Sequence, residues 1–150
     1  MKAKRRSPWA TPLALLGIAF FSYGIFAFQQ GFHWDDWGFA WLIRTLGRPG
    51  LFDYFSTNRP FLAYVYSLTT TLFGTNPVAW QVFSLLMRWL TALSLLWVLR
   101  MLWPERGWET FFAAVFFLVY PGFNQQAVAI TYSHFFLAQT LLFVSFGLML

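Results

Sequence analysis

Apolar and polar positions along this chain fall into long blocks rather than a short repeat. Trp9 to Phe28 is an almost unbroken apolar run. Residues 29–58 are the most polar stretch. Apolar character then returns over Phe61–Phe73, over a long segment from Val78 to Met101, and twice more toward the C-terminus. Blocks of about 20 apolar residues match the hydrocarbon core of a bilayer at the helical rise. The pattern predicts an all-α fold: a polytopic transmembrane helical bundle with spans over 9–28, 78–101, 109–130 and 134–150 and an outer loop over 29–77. Phe143 to Leu150 stays apolar with no polar cap, so the chain reads as the N-terminal module of something longer.

Inside the outer loop, Asp35 to Leu46 is predicted as a helix with Trp34, Trp37 and Trp41 near one face, at i, i+3 and i+7. Gly47-Arg48-Pro49-Gly50 is expected to stop it. Arg59-Pro60 opens a second helix with proline near its first position. Phe61, Val65, Leu68 and Leu72 share one stripe of that helix, and Gly74-Thr75-Asn76-Pro77 ends it. A segment of this length falls short of the ~17 residues a span needs, so it is expected to lie parallel to the membrane, in its interface. Asn76-Pro77 is a cap pair for the next span. The 109–130 segment is interrupted by Pro121-Gly122 and then by Asn124, Gln125 and Gln126. Broken backbone at membrane depth is tolerated only where it faces protein or a wet cavity. A water-filled recess is therefore expected there, near the acidic pair described below.

Composition supports the same class. The chain is 59% hydrophobic and 23% aromatic with only 10% charged residues, against roughly 25% charged in a soluble domain. So few charges do not cover a soluble surface of this size. The net charge is +5, but Lys2, Lys4, Arg5 and Arg6 precede the first apolar run and act first as an orientation signal, not as a nucleic-acid site. They predict a cytoplasmic N-terminus, with Arg100 and Arg106 also inside and Asp35 and Thr75 outside. The absence of cysteine excludes disulfides and thiolate chemistry.

The chemistry concentrates in His33-Trp34-Asp35-Asp36-Trp37, which holds two of the five acidic residues. Adjacent carboxylates after a greasy run are costly unless water or a substrate meets them. They suit a general base, a divalent-cation ligand, or a partner for a cationic group. They equally suit a helix cap in a solvated first turn. Two neighbouring acids repel, so one is expected to have a raised pKa unless a cation offsets it. Arg88 lies eleven residues beyond Pro77, near the middle of a span, and is expected to face the bundle interior against a polar group.

The order of these features resembles the N-terminal module of C-type (GT-C) membrane glycosyltransferases. A basic start, one span, the outer Asp35-Asp36 pair, a membrane-surface helix, Arg59-Pro60-Phe61, Leu72-Phe73-Gly74 and then a long span carry the likeness. It is nearest to the polyprenyl-phosphate-sugar group that includes protein mannosyltransferases and the lipid A aminoarabinose transferase. The acidic motif departs from the usual Asp-Glu, and the second outer loop, Asn124 to His134, holds no acid. The resemblance implies a sugar transferred from a polyprenyl-phosphate donor to an acceptor at the outer face of a bacterial inner membrane. It implies Asp35 or Asp36 as base, or as holder of Mg²⁺ or Mn²⁺, and Arg59 as phosphate partner, although Arg59 equally suits a residue that snorkels to the interface. Gln125, Gln126 or His134 would take the missing polar role, with His33 and Arg88 completing the candidate binding set. Competing classes are a non-catalytic membrane module, either scaffold or lipid-binding, and a transporter component.

Overall fold

The computed structural model describes residues 8–121 and 125–150. The basic leader and the centre of the Pro121–Asn124 break lie outside the described residues. Those described form seven α-helices and no strand. The first helix, α1 (Ala10–Ala19), runs on into a π-helical turn, Phe20–Gly24. The expected 9–28 span is thus helical over a shorter stretch. Gly24 lies against α5, where an added Cβ would sit 2.9 Å from Leu85.

Next come α2 (Asp35–Thr45) and α3 (Gly47–Phe55). Gly47-Arg48-Pro49-Gly50 does end the first of these, but it also starts the second, which the sequence pattern did not anticipate. Gly47 takes φ +60°, a conformation open mainly to glycine. Pro49 falls in the first turn of α3, where a missing N–H is tolerated. Then α4 (Pro60–Phe73) begins on its proline and stops at Gly74, φ +54°.

The long helix α5 spans Pro77–Leu102, and Asn76 Oδ1 caps it by accepting from the N–H groups of Val78 (3.0 Å) and Ala79 (3.3 Å). After it, α6 (Gly107–Leu118) is only twelve residues long. The segment expected as one span over 109–130 is therefore not one helix. The last helix, α7 (Ala129–Met149), starts at Ala129 rather than at 134. Two helices, α5 and α7, are long and apolar enough to cross a membrane.

These two helices lie side by side and run in the same direction. Gln81 Nε2 donates to the Ala127 carbonyl (2.7 Å) and Thr91 Oγ1 to that of Phe136 (2.9 Å). Farther along, the Trp97 ring occupies the space a side chain at Gly147 would need. A parallel pair requires a return path between its members, and α6 supplies only part of it.

Two buried clusters follow. The bundle packs Leu15 and Ala19 of α1 against Ala92 and Leu96 of α5 and Ala114 and Leu118 of α6. The second lobe packs Leu51 and Phe55 of α3, Tyr66 of α4, Trp80 of α5 and Ile130 of α7. In this α2–α4 lobe the buried face of α4 is Ala63, Tyr66 and Thr69, while Phe61 is 71% and Leu72 is 68% exposed. A helix facing water would have the opposite arrangement.

Candidate functional site

The adjacent acids of α2 point to different places, because successive helical residues are about 100° apart. Asp36 is fully buried. Its Oδ2 accepts from the Ile130 N–H (3.1 Å), and its Oδ1 from the N–H and hydroxyl of Thr131, both 2.9 Å. Those amides belong to the first turn of α7, where helical N–H groups lack intrahelical acceptors and the dipole favours a negative charge. Burial raises the Asp36 pKa above the ordinary carboxylate range, and the bonds from Thr131 and Ile130 offset part of that rise. The cause is burial, not the repulsion between neighbours that the sequence suggested.

Asp35 is exposed and faces a cavity of about 640 Å³ between α2 and the α3–α4 connection. Trp34, Trp41 and Phe39 form one wall and Tyr54 and Phe55 another; Asn58, Arg59 and Thr131 add polar groups. This volume is within the usual range for a small-molecule site. Trp34 has φ +48°, a strained conformation for a residue other than glycine. It is the residue just before α2, so the turn that starts the helix also sets its indole on the cavity rim.

Behind this wall, Phe39, Phe55 and Tyr66 stack on one another, with Tyr66 5.0 Å from each of the other two rings. The Tyr66 hydroxyl is held well above the usual phenol range, first by burial and then by the Asp36 charge. It stays neutral and takes no part as a base.

The other candidates lie elsewhere. His33 is exposed and is not part of the cavity lining. His134 is buried on α7 with its ring 3.8 Å from that of Tyr66, and it does not line the cavity. Gln126 is buried, Gln125 is half-buried, and neither lines the cavity. Among the described residues, the side-chain atoms of Gln126 have no hydrogen-bond partner. Buried polar groups in that state mark a place for water.

Arg88 is 1% exposed in the bundle, midway along α5. Its Nη1 donates to the Leu118 carbonyl (3.2 Å), and its guanidinium lies 3.9 Å from the Tyr23 ring centre and 4.7 Å from that of Phe136. Leu118 is the last residue of α6, so the cation meets the negative end of a helix.

Of the sequence-derived set, Asp35 and Arg59 come together. Asn58, Tyr54, Phe39 and Thr131 join them without having been singled out. Asn58 was within reach of sequence reasoning, as an amide beside Arg59, but Thr131 was not. Among the described residues, no group of three or more His, Cys, Asp or Glu is placed to hold a metal ion. Asp36 is buried against α7 while Asp35 faces the cavity, so the two carboxylates are not arranged to share one Mg²⁺ or Mn²⁺. No protein-family model matches the chain, and neither a curated protein nor a solved structure matches it.

Proposed function

We propose that this is a polytopic membrane protein that transfers a sugar from a polyprenyl-phosphate donor to an acceptor at the outer face of a bacterial inner membrane. The observation that carries the reading is the convergence of Asp35, from the first turn of α2, and Arg59, from the α3–α4 connection, on one aromatic-walled cavity. In the proposed step Asp35 takes the acceptor's hydroxyl proton as the acceptor oxygen bonds to the anomeric carbon. The bond from that carbon to the phosphate oxygen breaks, and the lipid phosphate leaves with the electron pair. Arg59 balances its charge as a two-pronged donor. Asp36 holds the cavity floor in place through Thr131. Aromatic faces around the cavity suit the apolar faces of a sugar ring.

Several features support the membrane placement. At ~1.5 Å per residue, α5 is about 39 Å long and α7 about 32 Å, against a hydrocarbon core of about 30 Å. Phe61, Leu68 and Leu72 form an exposed apolar stripe on α4, as a helix lying in the interface requires. The basic leader, Arg100 and Arg106 favour the inner side. The chain has no cysteine, so single cysteines at positions 35, 75 and 106 report topology without background. An impermeant thiol reagent should reach 35 and 75 from outside and 106 only from inside; labelling at 75 from the cytoplasmic side overturns this arrangement.

The transfer reading is tested with radiolabelled polyprenyl-phosphate sugar and the full-length protein. Asp35→Asn should lower transfer by roughly 10²-fold, the scale of lost general-base catalysis, with membrane expression retained. Wild-type transfer by that variant removes Asp35 from the chemistry. A non-catalytic lipid-binding module is the second reading. It is favoured by the commitment of Asp36 to α7, which leaves a single acid at the cavity, and it predicts no transfer by the wild type.

A further inference from the structure

We propose that the cavity beside α2 holds the headgroup of a zwitterionic glycerophospholipid, with its ammonium against Asp35 and the indoles and its phosphate against Arg59. The inference rests on the membrane placement above but not on sugar transfer.

The charge pattern of the cavity is its starting point. The lining carries one carboxylate, Asp35, and one guanidinium, Arg59, while Asn58 and Thr131 are neutral. A purely anionic ligand satisfies Arg59 and leaves the carboxylate facing like charge. A purely cationic ligand does the reverse. A headgroup with a phosphate and an ammonium a few bonds apart meets both groups and leaves neither opposed.

The walls select further. Trp34 and Trp41 line the same space, and indole faces attract ammonium groups more strongly than other side-chain rings do. The strained φ of Trp34 keeps one of these indoles at the rim. A phosphate bearing only a polyol gains nothing from these faces by charge.

The position of the opening supplies the source. Trp34, 77% exposed, and Trp41, 62% exposed, line the cavity, and Trp37, 64% exposed, lies near the same face of α2. Indoles in such a band sit at headgroup depth. A lipid in the outer leaflet therefore brings its headgroup to the mouth with its acyl chains still in the bilayer.

The test uses the full-length protein in nanodiscs of equimolar phosphatidylethanolamine, phosphatidylcholine and phosphatidylglycerol, released gently and weighed by native mass spectrometry. Retained zwitterionic lipid should exceed phosphatidylglycerol by about tenfold, the ratio that a single well-placed charge contact of about 1.4 kcal/mol provides. Asp35→Asn should erase that preference while Arg59→Gln lowers retention of all three lipids. Trp41→Ala should weaken both zwitterions and leave phosphatidylglycerol unchanged. Equal retention of the three by the wild type, or an unchanged preference in Asp35→Asn, overturns the headgroup assignment alone. Wild-type protein that stays monodisperse in buffer without detergent or lipid overturns the membrane placement beneath it.

Discussion

The two lobes bury one principal charge each, and the signs are opposite. In the α2–α4 lobe Asp36 meets the N-terminus of α7. In the bundle Arg88 meets the C-terminus of α6. Each ion sits where the helix dipole has the opposite sign. The two helix ends are the flanks of the same interruption, residues 119–128. A chain that breaks a helix between two packed elements leaves polar backbone exposed at both ends of the break. Here an acid secures one flank and a base the other, from helices far away in sequence. Asp35 has no such duty, and it is the acid the cavity receives.

Breaking this symmetry should cost most in the bundle. Arg88→Leu strands the Leu118 carbonyl and removes the contact with Tyr23; a loss of about 2–3 kcal/mol is expected, read as a lower thermal midpoint in detergent and faster proteolysis within 119–128. An unchanged midpoint would mean that the α6 end needs no cation. Asp36→Ala comes next, at about 1–2 kcal/mol, the range of a lost helix cap. Its signature is local: the Ile130 and Thr131 amides should exchange hydrogen faster while α5 amides keep their protection.

A smaller effect sharpens the electrostatic half of the comparison. Because burial raises the Asp36 pKa, the folded state holds its proton to higher pH than the unfolded chain does. The stability of wild type relative to Asp36→Asn should then fall as pH rises from the ordinary aspartate value of 3.8 to the raised one, and level off above it. A difference that grows with pH over that window would mean that the hydrogen bonds outweigh burial. Smallest of all, Asp35→Asn should change stability by no more than about 0.5 kcal/mol, as at other exposed sites. A large destabilisation there would mean that the two acids share one structural task.

Much of the local architecture was legible because its signals are local. Pro60 at the start of α4, Asn76-Pro77 at the start of α5 and the glycine after Phe73 act within a few residues, and the structure uses each as expected. The inward position of Arg88 followed from its place in an apolar run. The α2–α3 junction was half legible: a Gly-Arg-Pro-Gly stretch reads as a stop, yet its proline sits equally well in the first turn of a new helix. The division of labour between Asp35 and Asp36 was not legible. Identical neighbours differ only in which face of α2 they occupy, and the partner that distinguishes them starts at Ile130. The cavity was legible in Asp35 and Arg59 but not in Thr131, for the same reason.

That distance has a consequence for how the protein is made. The Asp36–Ile130 bond joins residues 94 apart. At a synthesis rate of about 5–20 residues per second, α7 reaches its place about 5–19 s after α2 has formed. Through that interval the Asp36 carboxylate has no helix end to bind and must stay hydrated, with the first turn of α2 open to water. The cavity floor is therefore among the last parts of the chain to assemble. A ribosome stalled before residue 130 should hold the two acids in equivalent surroundings, and only the arrival of α7 makes them different.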